Sequence, residues 1–129
     1  MIMARVFTYK GKSVEELKAM SLDEFVKLLP SRERRKFKRG LSEKEKKFLE
    51  KLRKSDKPIR THLRQMVIVP EMFDKIVMLH NGKKEWERLT IKPEMVGHRL
   101  GEFVLTRKRV MHSAPGVGAT RASKFLPLK

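Results

Sequence analysis

The first half of the chain carries three serine–glutamate pairs at the spacing that begins an α-helix. The pairs are Ser13 and Glu16, Ser21 and Glu24, and Ser42 and Glu45. In each pair the serine hydroxyl can accept from an early backbone N–H, while the glutamate carboxylate accepts from the serine's own N–H. The pattern therefore predicts three helix starts near the N-terminus.

The apolar residues that follow extend these starts into helices. The second helix is expected to stop at Pro30, whose ring and missing N–H break a helix. The third is expected to run from Glu43 to about Lys54, with Phe48, Leu49 and Leu52 forming a narrow apolar stripe. We expect these stripes to face a small core.

A short basic segment lies between the second and third of these helices. We expect a helix that is ended by Gly40 and anchored only by Phe37, with Glu33 as its one carboxylate. So dense a cluster is unfavourable on an ordinary protein face and favourable against phosphates. Its cations are Arg32, Arg34, Arg35, Lys36, Lys38 and Arg39.

The middle of the chain is rich in β-forming residues. Met66–Val69 and Ile76–Leu79 predict two strands, and Trp86–Ile91 predicts a third. Asn81 and Gly82 suit a tight turn with positive φ at both positions, which predicts a hairpin. Helices followed by a small three-stranded sheet with a central hairpin indicate an α+β fold.

Two short segments that follow strands resemble each other. They are Val69-Pro70-Glu71-Met72 and Lys92-Pro93-Glu94-Met95. Each suits a helical turn, because proline favours the first position of the turn and an early glutamate favours the helix dipole. The similarity is too short to distinguish a repeat from chance, so both interpretations stay open.

The last part of the chain contains no acidic residue from Phe103 to Lys129. It has little apolar periodicity, and it predicts an extended basic arm that buries too little apolar surface to fold alone. The predicted organisation is therefore a basic helical region over 1–57, a small α+β core over 58–106, and the arm over 107–129.

The overall charge points to a polyanionic partner. The chain has 32 Lys and Arg residues against 15 Asp and Glu residues, a formal net charge of +17. Nucleic acid is the first candidate, an anionic membrane the second and an acidic protein the third. No apolar run is long enough for a membrane span, and none at the N-terminus suggests a signal peptide.

The residues do not form a recognisable catalytic or metal site. The chain has no cysteine, which excludes a thiol nucleophile and a thiolate zinc site and fits a reducing cytosol. Its four histidines are dispersed, and His98 with Glu102 is better interpreted as a surface or RNA contact than as an acid–base pair. We expect no enzymatic activity, cofactor, metal or small-molecule substrate.

Other cations extend the predicted RNA contacts beyond the basic segment. Arg60, His62 and Arg64 alternate and would share one face, while Lys83 and Lys84 would occupy the hairpin tip. Exposed aromatic side chains are scarce, which argues against a single-strand binder built on base stacking. The remaining predicted contacts are Asn81, Gly82, His98, Arg99, Thr106, Arg107, Lys108, Arg109, His112, Arg121 and Lys124.

Several ordered motifs make the chain similar to a known family. They are Ile68-Val69-Pro70-Glu71-Met72, His80-Asn81-Gly82-Lys83, the run from Lys92 to Phe103, and Thr106. They resemble the small-subunit ribosomal proteins numbered nineteen in the bacterial scheme. Features typical of the archaeal and eukaryotic branch are the long helical N-terminus, Arg39-Gly40-Leu41, Thr61-His62-Leu63-Arg64 and the run from Pro115 to Arg121.

The resemblance implies a structural role in the cytoplasm without enzymatic activity. It implies binding to small-subunit rRNA in its 3′ major domain, within the subunit head. It also implies a neighbouring head protein, numbered thirteen, and an arm that runs toward the decoding region and its tRNAs. The alternative that charge alone leaves open is a general nucleic-acid-binding protein of the chromatin type.

Overall fold

The computed structural model describes residues 5–112. Within them lie four α-helices, a two-stranded sheet, a three-stranded sheet and three short 3-10 helices. The elements are β1 (Thr8–Tyr9), β2 (Lys12–Ser13), α1 (Val14–Ala19), α2 (Leu22–Leu28), α3 (Ser31–Arg39), α4 (Glu43–Lys54), β3 (Ile59–Thr61), β4 (Ile76–His80) and β5 (Trp86–Thr90). The 3-10 helices are Pro70–Met72, Pro93–Met95 and Leu100–Glu102. The predicted α+β class is confirmed, while the arm beyond His112 lies outside the described residues.

The three predicted helix starts are all confirmed. Ser13, Ser21 and Ser42 precede α1, α2 and α4, and each forms the reciprocal pair of hydrogen bonds with the glutamate three residues on. The basic segment forms α3, which ends at Gly40 with φ of +94°. Few residues other than glycine adopt that backbone conformation without strain. The β1–β2 hairpin before α1 was not predicted.

The three-stranded sheet has the order β3-β4-β5, with β3 parallel to β4 and β4 antiparallel to β5. The predicted hairpin is confirmed, but its tight two-residue turn is wrong. The last paired residues are His80 and Trp86, so a five-residue loop connects the strands. Of the two predicted turn residues, Asn81 and Gly82, only Gly82 has positive φ. The Asn81 side chain explains the longer loop, since its Oδ1 accepts from Lys83 N at 3.0 Å and its Nδ2 donates to Glu87 at 3.1 Å.

The predicted strand Met66–Val69 is wrong as a member of this sheet. All four of its residues are fully buried, and Val67 forms only an isolated antiparallel bridge with Arg99. The third strand is instead Ile59–Thr61. A short continuous apolar run indicates burial without indicating which neighbour it pairs with, which explains the error.

The two Pro-Glu-Met segments adopt nearly the same conformation and bind each other's flanks. Each forms a 3-10 turn, and the second residue after each turn, Asp74 or Gly97, has positive φ. Asp74 N donates to Ile91 O at 2.9 Å, and Gly97 N donates to Ile68 O at 3.1 Å. The two isoleucines donate in return to Lys75 O and His98 O, at 3.0 and 2.8 Å. The two segments are therefore related by conformation and by reciprocal hydrogen bonds. Their four-residue sequence similarity alone could not establish such a relation.

One hydrophobic core joins the helices to the sheet. It includes Leu17 of α1, Phe25 of α2, Phe48 of α4 and Leu79 of β4, and the segment Met66–Val69 lies within it. Because side chains alternate along strands, the other face of the sheet carries residues that point away from this core. The predicted boundaries at 57 and 106 stay predictions.

Candidate RNA interface

Helix α3 has a protein-facing side and a solvent-facing side. Glu33, Lys36 and Phe37 are partly buried, and their spacing of three and four residues places them on one side. Lys36 forms an ion pair with Glu45 of α4 and donates to Gln65 O at 2.7 Å. Glu33 accepts from Arg99 at 3.3 Å. The expectation that only Phe37 anchors this helix is therefore wrong, because two charged residues also hold it.

The opposite side of α3 presents cations to solvent. Arg32, Arg35, Lys38 and Arg39 are exposed, and within residues 5–112 none of them has an ion pair or a side-chain hydrogen bond to another residue. Arg34 differs, since its Nη2 donates to Leu29 O at 3.0 Å. Of the six cations predicted in this segment, four therefore remain available to an external anion.

Glu45 is the carboxylate that anchors α3 to α4. It is 6% exposed, accepts from Ser42 N at 2.9 Å and from Ser42 Oγ at 3.1 Å, and pairs with Lys36. Burial works against its charge, but Lys36 and Ser42 outweigh burial and lower the pKa of Glu45. The ionised form therefore fastens the N-terminus of α4 and the inner side of α3 together.

The Arg64 guanidinium connects its own turn to the end of β4 and to the segment that enters the arm. Its Nη1 donates to His80 O at 2.8 Å, and its Nη2 donates to Gly101 O at 3.0 Å and also to Val104 O. The strand expected after Arg64 is absent, so the predicted alternation of Arg60, His62 and Arg64 does not extend to Arg64, which lies in a turn. The structure thus gives this predicted RNA contact internal partners.

The hairpin tip is held by its own side chains and presents two lysines. Asn81 is 8% exposed because its amide spans the loop, and Gly82 N donates to His80 Nδ1 at 3.1 Å. Lys83 and Lys84 are exposed on this loop, and no ion pair involves them among the described residues. The loop therefore has internal hydrogen bonds and presents two solvent-facing cations.

The outer face of the sheet carries an aromatic cluster that sequence reasoning missed. The rings of His62, His80 and Trp86 lie 4.5 to 5.0 Å apart between centroids, and the Arg60 guanidinium lies 5.8 Å from the Trp86 ring. The pairing of His80 with Trp86 across the hairpin brings these rings together. This pairing requires a five-residue loop, whereas the sequence suggested a two-residue turn. The prediction that aromatic platforms are scarce rested on the number of aromatic residues. That number does not indicate which rings lie together in the fold.

The remaining predicted contacts lie along the segment that leads into the arm. His98 Nδ1 lies 2.7 Å from Glu102 Oε2, and Arg99 is shared between Glu33 and the Leu100–Glu102 turn. After buried Val104 the chain is irregular and exposed. That exposed stretch holds Thr106, Arg107, Lys108, Arg109 and His112, whereas Arg121 and Lys124 lie outside the described residues.

A chain of polar contacts connects the three cation-bearing parts. Glu33 and Lys36 of α3 contact Arg99 and Gln65, and Arg64, beside Gln65, contacts both the end of β4 and the segment that enters the arm. The exposed cations of α3, the hairpin tip and the arm's first residues are thus mounted on one connected framework. Such a framework presents charge at fixed positions, which suits a folded polyanion.

Other kinds of site find little support in the described part of the chain. No group of three or more His, Asp or Glu side chains within residues 5–112 could hold a metal ion. Among the same residues, no helix has the length and apolar character needed to cross a bilayer.

Comparison with known proteins identifies the family. The family model of ribosomal protein S19 matches residues 35–112. The chain is 54% identical over 123 residues to the small ribosomal subunit protein uS19 of Methanoregula boonei, covering 95% of this chain and 88% of that protein. The same protein of Methanoculleus marisnigri is also 54% identical over 123 residues, with coverage of 95% and 89%.

A third archaeal relative agrees with the predicted branch. The uS19 protein of Thermoplasma acidophilum is 52% identical over 126 residues, covering 98% of this chain and 83% of that protein. These matches extend over nearly the whole chain at high identity, and the predicted resemblance is confirmed. The chain therefore belongs to the ribosomal protein S19 family, whose members are structural proteins of the small ribosomal subunit and not enzymes.

Proposed function

We propose that the chain binds small-subunit rRNA in the 3′ major domain and so helps to build the head of the cytoplasmic small ribosomal subunit. The observation that carries this proposal is the framework of Arg64, Arg99 and Lys36, which supports three groups of exposed cations. Each neutralised phosphate releases condensed counterions, which favours binding by a chain of net charge +17. Irregular loops suit recognition of an RNA helix by its shape and its phosphates rather than by its base edges.

The division of labour within α3 supports a defined contact rather than a diffuse one. Its inner cations are used by the protein, while Arg32, Arg35, Lys38 and Arg39 project from a helix anchored at two points. Arginine can grip a phosphate with two donors, and the fixed helix sets the distance between successive grips. We therefore assign the outer side of α3 to phosphates at an RNA junction.

The test is a salt titration of binding to an RNA fragment of the 3′ major domain. Replacing Arg32, Arg35, Lys38 and Arg39 together with glutamine should reduce the slope of log affinity against log salt by roughly three. The matched control replaces four exposed lysines of α4 with glutamine and removes the same charge. These lysines are Lys44, Lys47, Lys51 and Lys54.

Two results would contradict the proposal. Equal losses in the two variants would indicate charge attraction without a defined interface. Equal affinity for duplex DNA and for the rRNA fragment in competition would instead favour the chromatin-type alternative, although no DNA-reading helix is evident in the described fold.

We further propose that the head protein numbered thirteen is a neighbour and that the arm extends toward the tRNAs. In support, Leu105, Val110 and Met111 are exposed apolar side chains, 75%, 68% and 90% accessible, where the arm begins. Where such side chains form one contiguous apolar patch, the patch is typical of a protein interaction site. Co-purification of the neighbour after nuclease treatment tests the first contact, and crosslinking to tRNA in assembled subunits tests the second.

A further inference from the structure

The outer face of the three-stranded sheet has the chemistry of a binding platform. His62 and His80 each lie edge-on to Trp86, with ring centroids 4.8 and 5.0 Å away and interplanar angles of 71° and 68°. The His80 ring is held by the hairpin, because its Nδ1 accepts from Gly82 N at 3.1 Å. His62 is exposed, while His80 and Trp86 are half-buried, so part of each ring remains accessible.

The charges around this cluster favour an anion. Arg60 lies over the Trp86 ring, and the pairing of the strands places Arg88 and Met78 in the same row as Arg60. Every described strand position that points to this face lacks a carboxylate, since Glu87 points the other way and accepts from Asn81. An acidic or apolar peptide would match only part of this surface, whereas a nucleotide supplies both an aromatic base and a negative phosphate.

We propose that this face binds one unpaired base of the small-subunit RNA by stacking on the His62–Trp86 cluster, with Arg60 or Arg88 at its phosphate. Bases inside an A-form helix are already stacked on each other, so only a bulged, looped or terminal nucleotide can reach the platform. The proposal rests on the proposed rRNA binding and adds a base contact to the phosphate contacts of α3 and the hairpin tip.

The chain provides its own probe, because Trp86 is its only tryptophan. Full-length protein is titrated with the RNA fragment of the 3′ major domain while tryptophan emission is recorded. Stacking predicts strong quenching that saturates together with binding measured by filter retention. The variants Trp86→Leu and His62→Ala should each weaken binding about ten-fold and leave the salt slope unchanged, because stacking releases no counterions.

The control variant is Phe7→Leu, which changes a half-buried aromatic side chain outside the three-stranded sheet and the predicted RNA contacts, and which should leave affinity unchanged. Circular dichroism verifies that each variant is folded. If Trp86→Leu does not fold, quenching of the unmodified protein and the affinity of His62→Ala decide the question.

The outcomes separate this proposal from the wider one. Unquenched emission at saturation, with full affinity in both platform variants, overturns the stacking platform and leaves rRNA binding intact. Failure of the unmodified protein to bind the fragment overturns both proposals. Quenching with a ten-fold loss and an unchanged salt slope supports both.

Discussion

Arg64 should stabilise the fold rather than contribute to the RNA interface. Its guanidinium donates to carbonyl oxygens of His80, Gly101 and Val104, which belong to the hairpin and to the segment that enters the arm. Gly101 is adapted to this contact, because a Cβ at that position would lie 3.0 Å from Arg64 O. Replacing Arg64 with alanine removes all three bonds and leaves the carbonyls to water.

The expected loss follows from the number and exposure of these bonds. A hydrogen bond to a charged group contributes about 1.5–3 kcal/mol when it is well shielded. Arg64 is only partly buried and water can replace some of its donors, so we expect a loss of about 3–4 kcal/mol for the three together. In a domain of this size that corresponds to a Tm lower by roughly 10–20 °C. Lysine offers one nitrogen in place of the guanidinium's two Nη atoms, so Arg64→Lys should recover only a minor part of the stability.

The assay is thermal and urea unfolding followed by circular dichroism, with Arg35→Ala as the matched control. Arg35 is exposed and has no described partner, so its loss should change stability by less than about 0.5 kcal/mol. RNA binding of Arg64→Ala, measured well below its Tm, should keep the salt slope of the unmodified protein. Unchanged stability with a slope reduced by about one would refute this reasoning and make Arg64 a phosphate contact.

Two further substitutions test the packing of the fold. Because the pKa of Glu45 is lowered, its ionised form stabilises the protein above the unfolded value near 4.3, and this contribution is lost as pH falls through the folded value. Glu45→Gln, which breaks the pair with Lys36, should therefore unfold more easily at pH 7 and differ less from the original at pH 3; equal differences at both pH values would contradict this. Gly97→Ala should cost more stability than Gly11→Ala in urea titrations. Both glycines have positive φ, but only at Gly97 would a Cβ lie 2.7 Å from the Tyr9 hydroxyl; equal costs would mean that Tyr9 moves aside.

Local interactions explain which parts of the fold were predictable. The capping boxes at Ser13, Ser21 and Ser42 involve residues three apart, so the sequence contains every atom that matters. The strand assigned to Met66–Val69 failed because its partners, near His98 and Leu100, are some thirty residues away. Apolar content indicated that this segment is buried, and burial alone did not identify the elements around it.

The sequence by itself determined the helix starts, the hairpin, the basic character and the family. These depend on neighbouring residues, on summed charge or on ordered motifs. Only the tertiary structure decided what each cation does. Within α3, Lys36 is occupied by Glu45 while Arg35, one residue earlier, faces solvent, because the helix turns about 100° per residue relative to the core. Arg60 and Arg64 also differ in availability, because Arg60 lies on β3 over the Trp86 ring, whereas Arg64 lies in the following turn and is held by three carbonyls. Charge is a property of the residue, but its availability to RNA depends on which atoms the folded chain places beside it.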